Sequence, residues 1–251
     1  MPERYIEMGY WEIITRQMSI VSKSEQTRFK ESKIAVIGCG GIGGSAIEML
    51  ARMGVGELVI IDKDVFDFSN LNRQVMSSVD CIGKSKSEVT KEKIRLINPY
   101  VKITAFNEEL NEENIEKIIG DCDIVIDALD NIISRIIISR FTNKKGIPFI
   151  HGAIHGTMGQ LTVFTNETES TYEELFCLPS FKKELNKETI NEIEKLSGKV
   201  PPVIGPVPNI IGSLEAFEAF KIITNIGKIT LAPKILNFDL LDIESFTTIE
   251  M

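Results

Sequence analysis

Apolar residues recur along the chain in two rhythms, short unbroken runs and stretches of helical spacing. Ile34-Ala35-Val36-Ile37 is a β-branched run of the kind buried on both faces of a parallel sheet, and it leads through a glycine cluster into a helical pattern ending at Met53. Leu58-Val59-Ile60-Ile61 gives a second buried strand ending at Asp62, so residues 34–62 have the order and length of a βαβ unit. A helix over about 85–96 is then stopped by Asn98-Pro99. Strands at 101–105 and 124–126 flank a helical stretch near 112–119, a helix covers about 134–144, and Pro148-Phe149-Ile150 opens another strand. This alternation predicts an α/β fold with a doubly wound, Rossmann-like, mostly parallel sheet.

The remainder changes character. Gly159-Gln160-Leu161-Thr162-Val163-Phe164 alternates like a strand, whereas 166–199 is polar and charged, reads as a mobile crossover with short helices around 184–196, and ends at Val200-Pro201-Pro202. A helix over 209–224 and a strand at 235–238 follow. One domain of 251 residues is predicted: a helical arm (1–32), a core (33–150) and a C-terminal extension (151–251) that completes the substrate side.

Composition narrows the function classes. With 43% hydrophobic and 25% charged residues and no apolar run near the roughly 20 residues of a membrane span, a soluble globular protein is expected. The start, Met1-Pro2-Glu3-Arg4, lacks the pattern of a secretion signal, so a cytoplasmic location is expected. A net charge of −8 disfavours a nucleic-acid backbone as partner, but leaves room for a few cations to hold phosphates in a cleft. Cys39, Cys81, Cys122 and Cys177 form no C-x-x-C pair, so neither a disulfide framework nor a structural zinc site is expected.

Gly38-Cys39-Gly40-Gly41-Ile42-Gly43 fits G-x-G-x-x-G in the required place between strand and helix. Glycines there admit a tight turn and bring phosphate close to backbone N–H groups at a helix N-terminus. Asp62, about twenty residues on, stands where a carboxylate accepts from ribose hydroxyls. These signals fit NAD, FAD and ATP alike, so an NAD(P)- or FAD-dependent oxidoreductase is the alternative at this stage. The next segment, Asp64 to Gln74, places Arg73 and several amides directly after the ribose-reading strand, with Lys84 and Lys86 behind, and a triphosphate needs that charge. Ile124-Val125-Ile126-Asp127-Ala128-Leu129-Asp130-Asn131 is a buried strand ending in carboxylates at the same sheet edge. Asp130 suits either a magnesium ion shared with phosphates or the N-cap of the following helix.

With these residues in order, the chain resembles the ubiquitin-activating-type adenylyltransferases, the ThiF superfamily, which include the molybdopterin-synthase and thiamine sulfur-carrier activating enzymes. The resemblance extends from about Arg16 to Asp239. Its parts are Arg16-Gln17, the glycine loop, Asp62, Ser69-Asn70-Leu71-Asn72-Arg73-Gln74, Gly83-Lys84-Ser85-Lys86, Ile97-Asn98-Pro99, Asp127 to Asn131, Gly159 to Phe164, and Gly205-Pro206 with Ile211 to Ala216. It implies an ATP site formed by Gly38, Gly40, Gly41, Ile42, Gly43, Asp62, Asp64, Asn70, Arg73, Gln74, Lys86, Leu129, Asp130 and Asn131. Arg16, Arg73, Lys86 and Asp130 would be catalytic, Asp130 as the magnesium ligand. Arg16 matches an arginine that reaches across a homodimer into the partner's site. The reaction implied is attack of a carboxylate on the α-phosphorus of ATP, giving an acyl-adenylate and pyrophosphate, with a thiol protein as downstream acceptor.

The chain departs from the family pattern in three places. Many relatives hold zinc through two C-x-x-C pairs in the C-terminal half, and this chain has neither, so no zinc is expected. Cys177 is the sole C-terminal thiol, inert or thioester-forming. His151 and His155, the only histidines, stand where relatives carry small, neutral or basic residues near the substrate tail, and are either structural or substrate-contacting. Two substrates stay open: the C-terminal glycine of a ubiquitin-like sulfur carrier, or a small-molecule carboxylate. The zinc-free form and the segments 16–18 and 151–159 are similar to methanogen members, among them the enzyme that adenylylates guanylylpyridinol in hydrogenase cofactor assembly.

Overall fold

The computed structural model describes residues 9–196 and 202–250. Two helices, α1 (Gly9–Ile13) and α2 (Lys23–Glu31), precede the sheet, and Ser22 caps α2 in a reciprocal box with Glu25. Then follow β1 (Lys33–Ile37), α3 (Gly41–Met53), β2 (Glu57–Ile61), α4 (Lys86–Ile97), β3 (Lys102–Phe106), α5 (Ile115–Ile119), β4 (Ile124–Asp127) and α6 (Ile132–Lys145). The chain continues through β5 (Phe149–His155), β6 (Met158–Phe164), α7 (Tyr172–Leu175), α8 (Lys187–Leu196), α9 (Pro206–Thr224), β7 (Lys234–Asp239) and β8 (Asp242–Glu250).

All eight strands form one sheet in the order β3-β2-β1-β4-β5-β6-β7-β8. The first five are parallel and the last three antiparallel. The parallel strands are apolar on both faces because both are covered. Ile34, Val36, Leu58, Ile60, Ile126 and Ile150 pack with Leu50 of α3 and Phe220 of α9. Ala35, Ile37, Val59, Ile61 and Val125 pack with Ile118 of α5 and Ile136 of α6. The sequence-based elements thus appear within a few residues of their expected bounds, apart from β8, whose exposed alternation gave no strong strand signal.

The crossover expected to be mobile is, through Leu196, packed against α6. Tyr172, Glu173, Leu175 and Ile193 are buried, and Arg140 of α6 donates two 2.8 Å hydrogen bonds to Glu173 and further bonds to the Ser180 and Lys183 carbonyls. Apolar residues spaced among the charges of this stretch supply a buried seam that its overall polarity hides. Residues 197–201, which include the end of this crossover, and residues 1–8 of the expected arm lie outside the described residues.

Candidate nucleotide site

Chain order reverses between β1 and β4: β2 and β3 lie on one side, β5 to β8 on the other. Crevices at such a reversal, outside the strand C-termini, are where open α/β sheets bind ligands. Here a cavity of about 290 Å³ opens, lined by Gly38, Gly40, Gly41, Ile42, Asp62, Asp64, Arg73, Gln74, Lys86, Leu129, Asp130 and Asn131, all named from sequence. Ala153, Ile154, Val203 and Pro208 close its far side, so the C-terminal extension supplies one wall.

The glycine turn is dictated by crowding. Gly38 has φ of +103°, and a Cβ there would lie 2.6 Å from the Ala128 carbonyl oxygen; one on Gly43 would lie 1.8 Å from that of Gly38. Gly43 is therefore a packing residue beneath the turn and does not line the cavity. Above the turn a Cβ on Gly40 would meet only Gln74 Nε2, at 3.6 Å, which leaves space for a phosphate near the start of α3.

Asp62 ties the turn to the next loop: its two oxygens accept from the Cys39 amide at 2.7 Å and the Asp64 amide at 2.8 Å. Burial raises its pKa, opposed by these two amides. Each oxygen retains a lone pair for a hydroxyl donor. Lys86 is nearly buried and its ammonium lies 3.1 Å from the exposed Asp64 carboxylate, a partner that a phosphate can replace. Arg73 donates to the Ser69 carbonyl at 2.7 Å and to Asn72 at 2.9 Å. Asn70 does not reach the cavity. It is buried, and its Oδ1 accepts from the Asp67 amide at 3.0 Å, shaping the loop that carries Arg73. Gln74 does line the cavity, and its buried Oε1 has no hydrogen-bond partner among the described residues.

The two readings of Asp130 separate. The N-cap of α6 is Asn131, which accepts from the Ser134 amide at 2.8 Å. Asp130 is exposed at the cavity and makes no protein hydrogen bond or ion pair among the described residues. One free carboxylate facing a phosphate cradle is the donor set magnesium takes when phosphates and water supply the remaining ligands. No group of three or more His, Cys, Asp or Glu side chains among the described residues is placed to hold a metal on its own.

Besides Gly43 and Asn70, four more of the residues singled out from sequence lie elsewhere. Arg16 is exposed on a short 3-10 turn (Thr15–Gln17) whose Gln17 donates to the Met53 carbonyl, at the C-terminal end of α3. The glycine turn is at the other end, about 20 Å away for a helix of 13 residues. Arg16 cannot serve the site of its own chain. His155 is exposed at the end of β5 and does not line the cavity. Cys177, also exposed, sits beyond α7 with φ of +49° and takes no part in the lining. His151 is corrected: its placement does not support substrate contact. It is buried among Tyr172 and Phe176, and its Nδ1 lies 2.7 Å from Asp127 Oδ2, because this part of β5 is covered on both faces and its register places it beside Asp127.

Sequence reasoning passed over Arg135. It lines the cavity from the first turn of α6, with Nε 3.0 Å from Asp127 Oδ2 and Nη2 donating to the Leu129 carbonyl. A cation within one turn of the Asp130-Asn131 pair was the available signal.

Comparison with known proteins agrees with this geometry. A profile of the ThiF family matches residues 14–251. The chain is 34% identical to the molybdopterin-synthase adenylyltransferase of Haemophilus influenzae, covering 93% of each chain. It is 32% identical to the SAMP-activating enzyme E1 of Haloferax volcanii over 92% of this chain and 81% of that one. Among solved structures, Escherichia coli MccB with ATP superposes with a TM-score of 0.80 at 22% identity, covering all of this chain and 74% of that one. PaaA does so with a TM-score of 0.79 at 24% identity, covering all of this chain and 85% of that one, and at these identities the likeness is one of fold. The chain belongs to the ThiF family.

Proposed function

We propose that the protein is an adenylyltransferase that activates a carboxylate with ATP, forming an acyl-adenylate and releasing pyrophosphate. The observation that carries this reading is the single cavity in which a glycine turn, Asp62, Arg73, Lys86 and the unpartnered Asp130 meet. The α3 amides, Arg73 and Lys86 would bind the phosphates, and Asp62 the ribose. Bound magnesium, held by Asp130, would neutralise phosphate charge. A carboxylate is already ionised at neutral pH, so no protein base is required: one of its oxygens bonds to the α-phosphorus while the bond to pyrophosphate breaks. What the protein supplies is alignment and positive charge. The oxidoreductase alternative is not favoured, since relatives at over 30% identity are named adenylyltransferases.

Arg16 is assigned to the partner's site in a homodimer, because it lies far from its own. For the substrate we favour the C-terminal glycine of a ubiquitin-like sulfur carrier, with a thiol protein as final acceptor. The β7–β8 turn and edge strand β8 expose Leu241, Ile243 and Ile249, an apolar face suited to a protein substrate. The relative from Thermus thermophilus is named a sulfur carrier protein adenylyltransferase. A small-molecule carboxylate such as guanylylpyridinol is the second reading, in which the cavity wall of Ala153, Ile154 and Val203 would pack against the ring that carries the carboxylate. The test is ATP–pyrophosphate exchange, offering a sulfur carrier and a panel of carboxylic acids separately. Exchange with the carrier alone is expected, and Asp130→Asn and Arg73→Ala should each abolish it in folded protein. Exchange with neither class of substrate would refute the assignment.

A further inference from the structure

Strand β4 ends in Asp127, fully buried, and a buried carboxylate is costly unless its charge and lone pairs are met. Three groups meet it. Oδ1 accepts from the Leu129 amide at 3.0 Å, and Oδ2 faces both Arg135 Nε at 3.0 Å and His151 Nδ1 at 2.7 Å. The register pairs Asp127 with His151 on adjacent parallel strands, so both side chains fall on the same face. With a carboxylate oxygen 2.7 Å away, His151 Nδ1 carries the proton. Its ring is enclosed by Tyr172 at 4.9 Å and Phe176 at 5.2 Å. Burial keeps the imidazole neutral, below its usual pKa, although Asp127 opposes this.

The consequence falls on Leu129. Its N–H is held by Asp127 and its C=O by Arg135, so both peptide groups before Asp130 are fixed by one ion pair. Asp130 itself has no hydrogen-bond or ion-pair partner among the described residues that could orient it.

We propose that Asp127, Arg135 and His151 form a positioning clamp that sets the backbone of Leu129 and thereby aims Asp130 into the cavity. His151 is the lock: its N–H keeps Oδ2 turned toward Arg135, leaving Oδ1 for the Leu129 amide. Without that donor the carboxylate is free to rotate and release the turn. In its kinetic effect the clamp rests on the adenylylation reading, but its structural effect does not.

The experiment compares His151→Leu, which keeps bulk but removes the donor, with His151→Asn, which restores an N–H at a similar place. Arg135→Lys, which keeps charge but lacks the fork, serves as a second route. Hydrogen–deuterium exchange of the peptide spanning 127–135 is read in the full chain, with calorimetric ATP affinity and pyrophosphate-exchange kinetics. In H151L and R135K the amides of 128–131 should exchange about ten-fold faster, and kcat should fall about ten-fold with ATP affinity within about three-fold. H151N should stay within about three-fold of the parent in both. Unchanged amide exchange in H151L and R135K overturns the clamp, as does H151N behaving like H151L, which would show that ring shape rather than the donor matters. If the parent shows no pyrophosphate exchange with any carboxylate, adenylylation fails and the amide measurement alone decides the clamp.

Discussion

Glu215 of α9 is fully buried against β5: a Cβ on Gly152 would come within 2.4 Å of its Oε1, and neither oxygen has an aligned hydrogen-bond partner among the described residues. Burial, and after it the Asp127 charge, push its pKa well above the usual carboxylate range, with Arg135 and the Gly152 amide opposing. The folded protein therefore holds the Glu215 proton to a higher pH than the unfolded chain, which ionises it near 4.5. A group whose pKa is raised on folding contributes its full stability below the unfolded value and loses it as pH rises toward the folded value. Across that window the folded state carries one more proton, so stability falls by about 1.4 kcal/mol per pH unit from this group alone. Glu215→Gln keeps the shape and removes the titration. Urea unfolding at half-unit steps from pH 4 to 8 should show the variant gaining on the parent by about 1.4 kcal/mol per unit from about pH 5 until the folded-state value is reached, or a few degrees in Tm per unit at this chain length. Near pH 4 the two should differ little beyond a constant offset. Parallel stability curves would refute the reasoning, because they would mean that Glu215 is ionised in the fold.

Three further perturbations test other parts of the structure. Gly43→Ala places a methyl 1.8 Å from the Gly38 carbonyl oxygen and should cost about 3 kcal/mol, read as a lowered urea midpoint; a parent-like midpoint would show that α3 can slide. Lys86→Met removes the cation beside Asp64 and should weaken ATP binding about ten-fold by calorimetry with little loss of Tm, since the carboxylate it abandons is exposed. Mixing Arg16→Ala with Arg73→Ala protein should restore roughly a quarter of parental pyrophosphate exchange, as half the dimers in a random mixture carry one intact composite site. No recovery after verified subunit exchange would remove Arg16 from the partner's site.

The core of the fold was legible because its strands are buried on both faces. Ile34 to Ile37, Leu58 to Ile61 and Ile124 to Ile126 read as unbroken apolar runs, the first leading into the glycine turn and the other two into Asp62 and Asp127. Asn70 and Gly43 matched the motif yet lie outside the cavity, because a motif records what a loop needs in order to form as well as what touches ligand. Strand β8 was missed because apolar residues at an exposed edge do not produce the alternation of a half-buried strand. The ordered crossover was missed for a related reason: Tyr172, Leu175 and Ile193 are the few buried positions in a charged stretch, and Arg140 holds its turn through a contact more than thirty residues away.

His151 shows where sequence reasoning needed one more step. Two histidines near a sheet edge suggested a ligand contact, but β5 is covered on both faces from Phe149 to Gly152, so His151 lies in the core while His155, at the end of the strand, is exposed. Once β4 and β5 are taken as adjacent parallel strands, as a doubly wound sheet requires, the strand ending in Asp127 lies beside the one carrying His151, in the register Asp127 to His151. A carboxylate and an imidazole side by side on one buried face must pair, and Arg135, one turn into the next helix, is the cation that face can supply. The buried histidine follows from topology and register together. What pattern alone leaves open is which of the two buried faces lies beneath the cavity, and the Leu129 peptide, held from both sides by that ion pair, answers it.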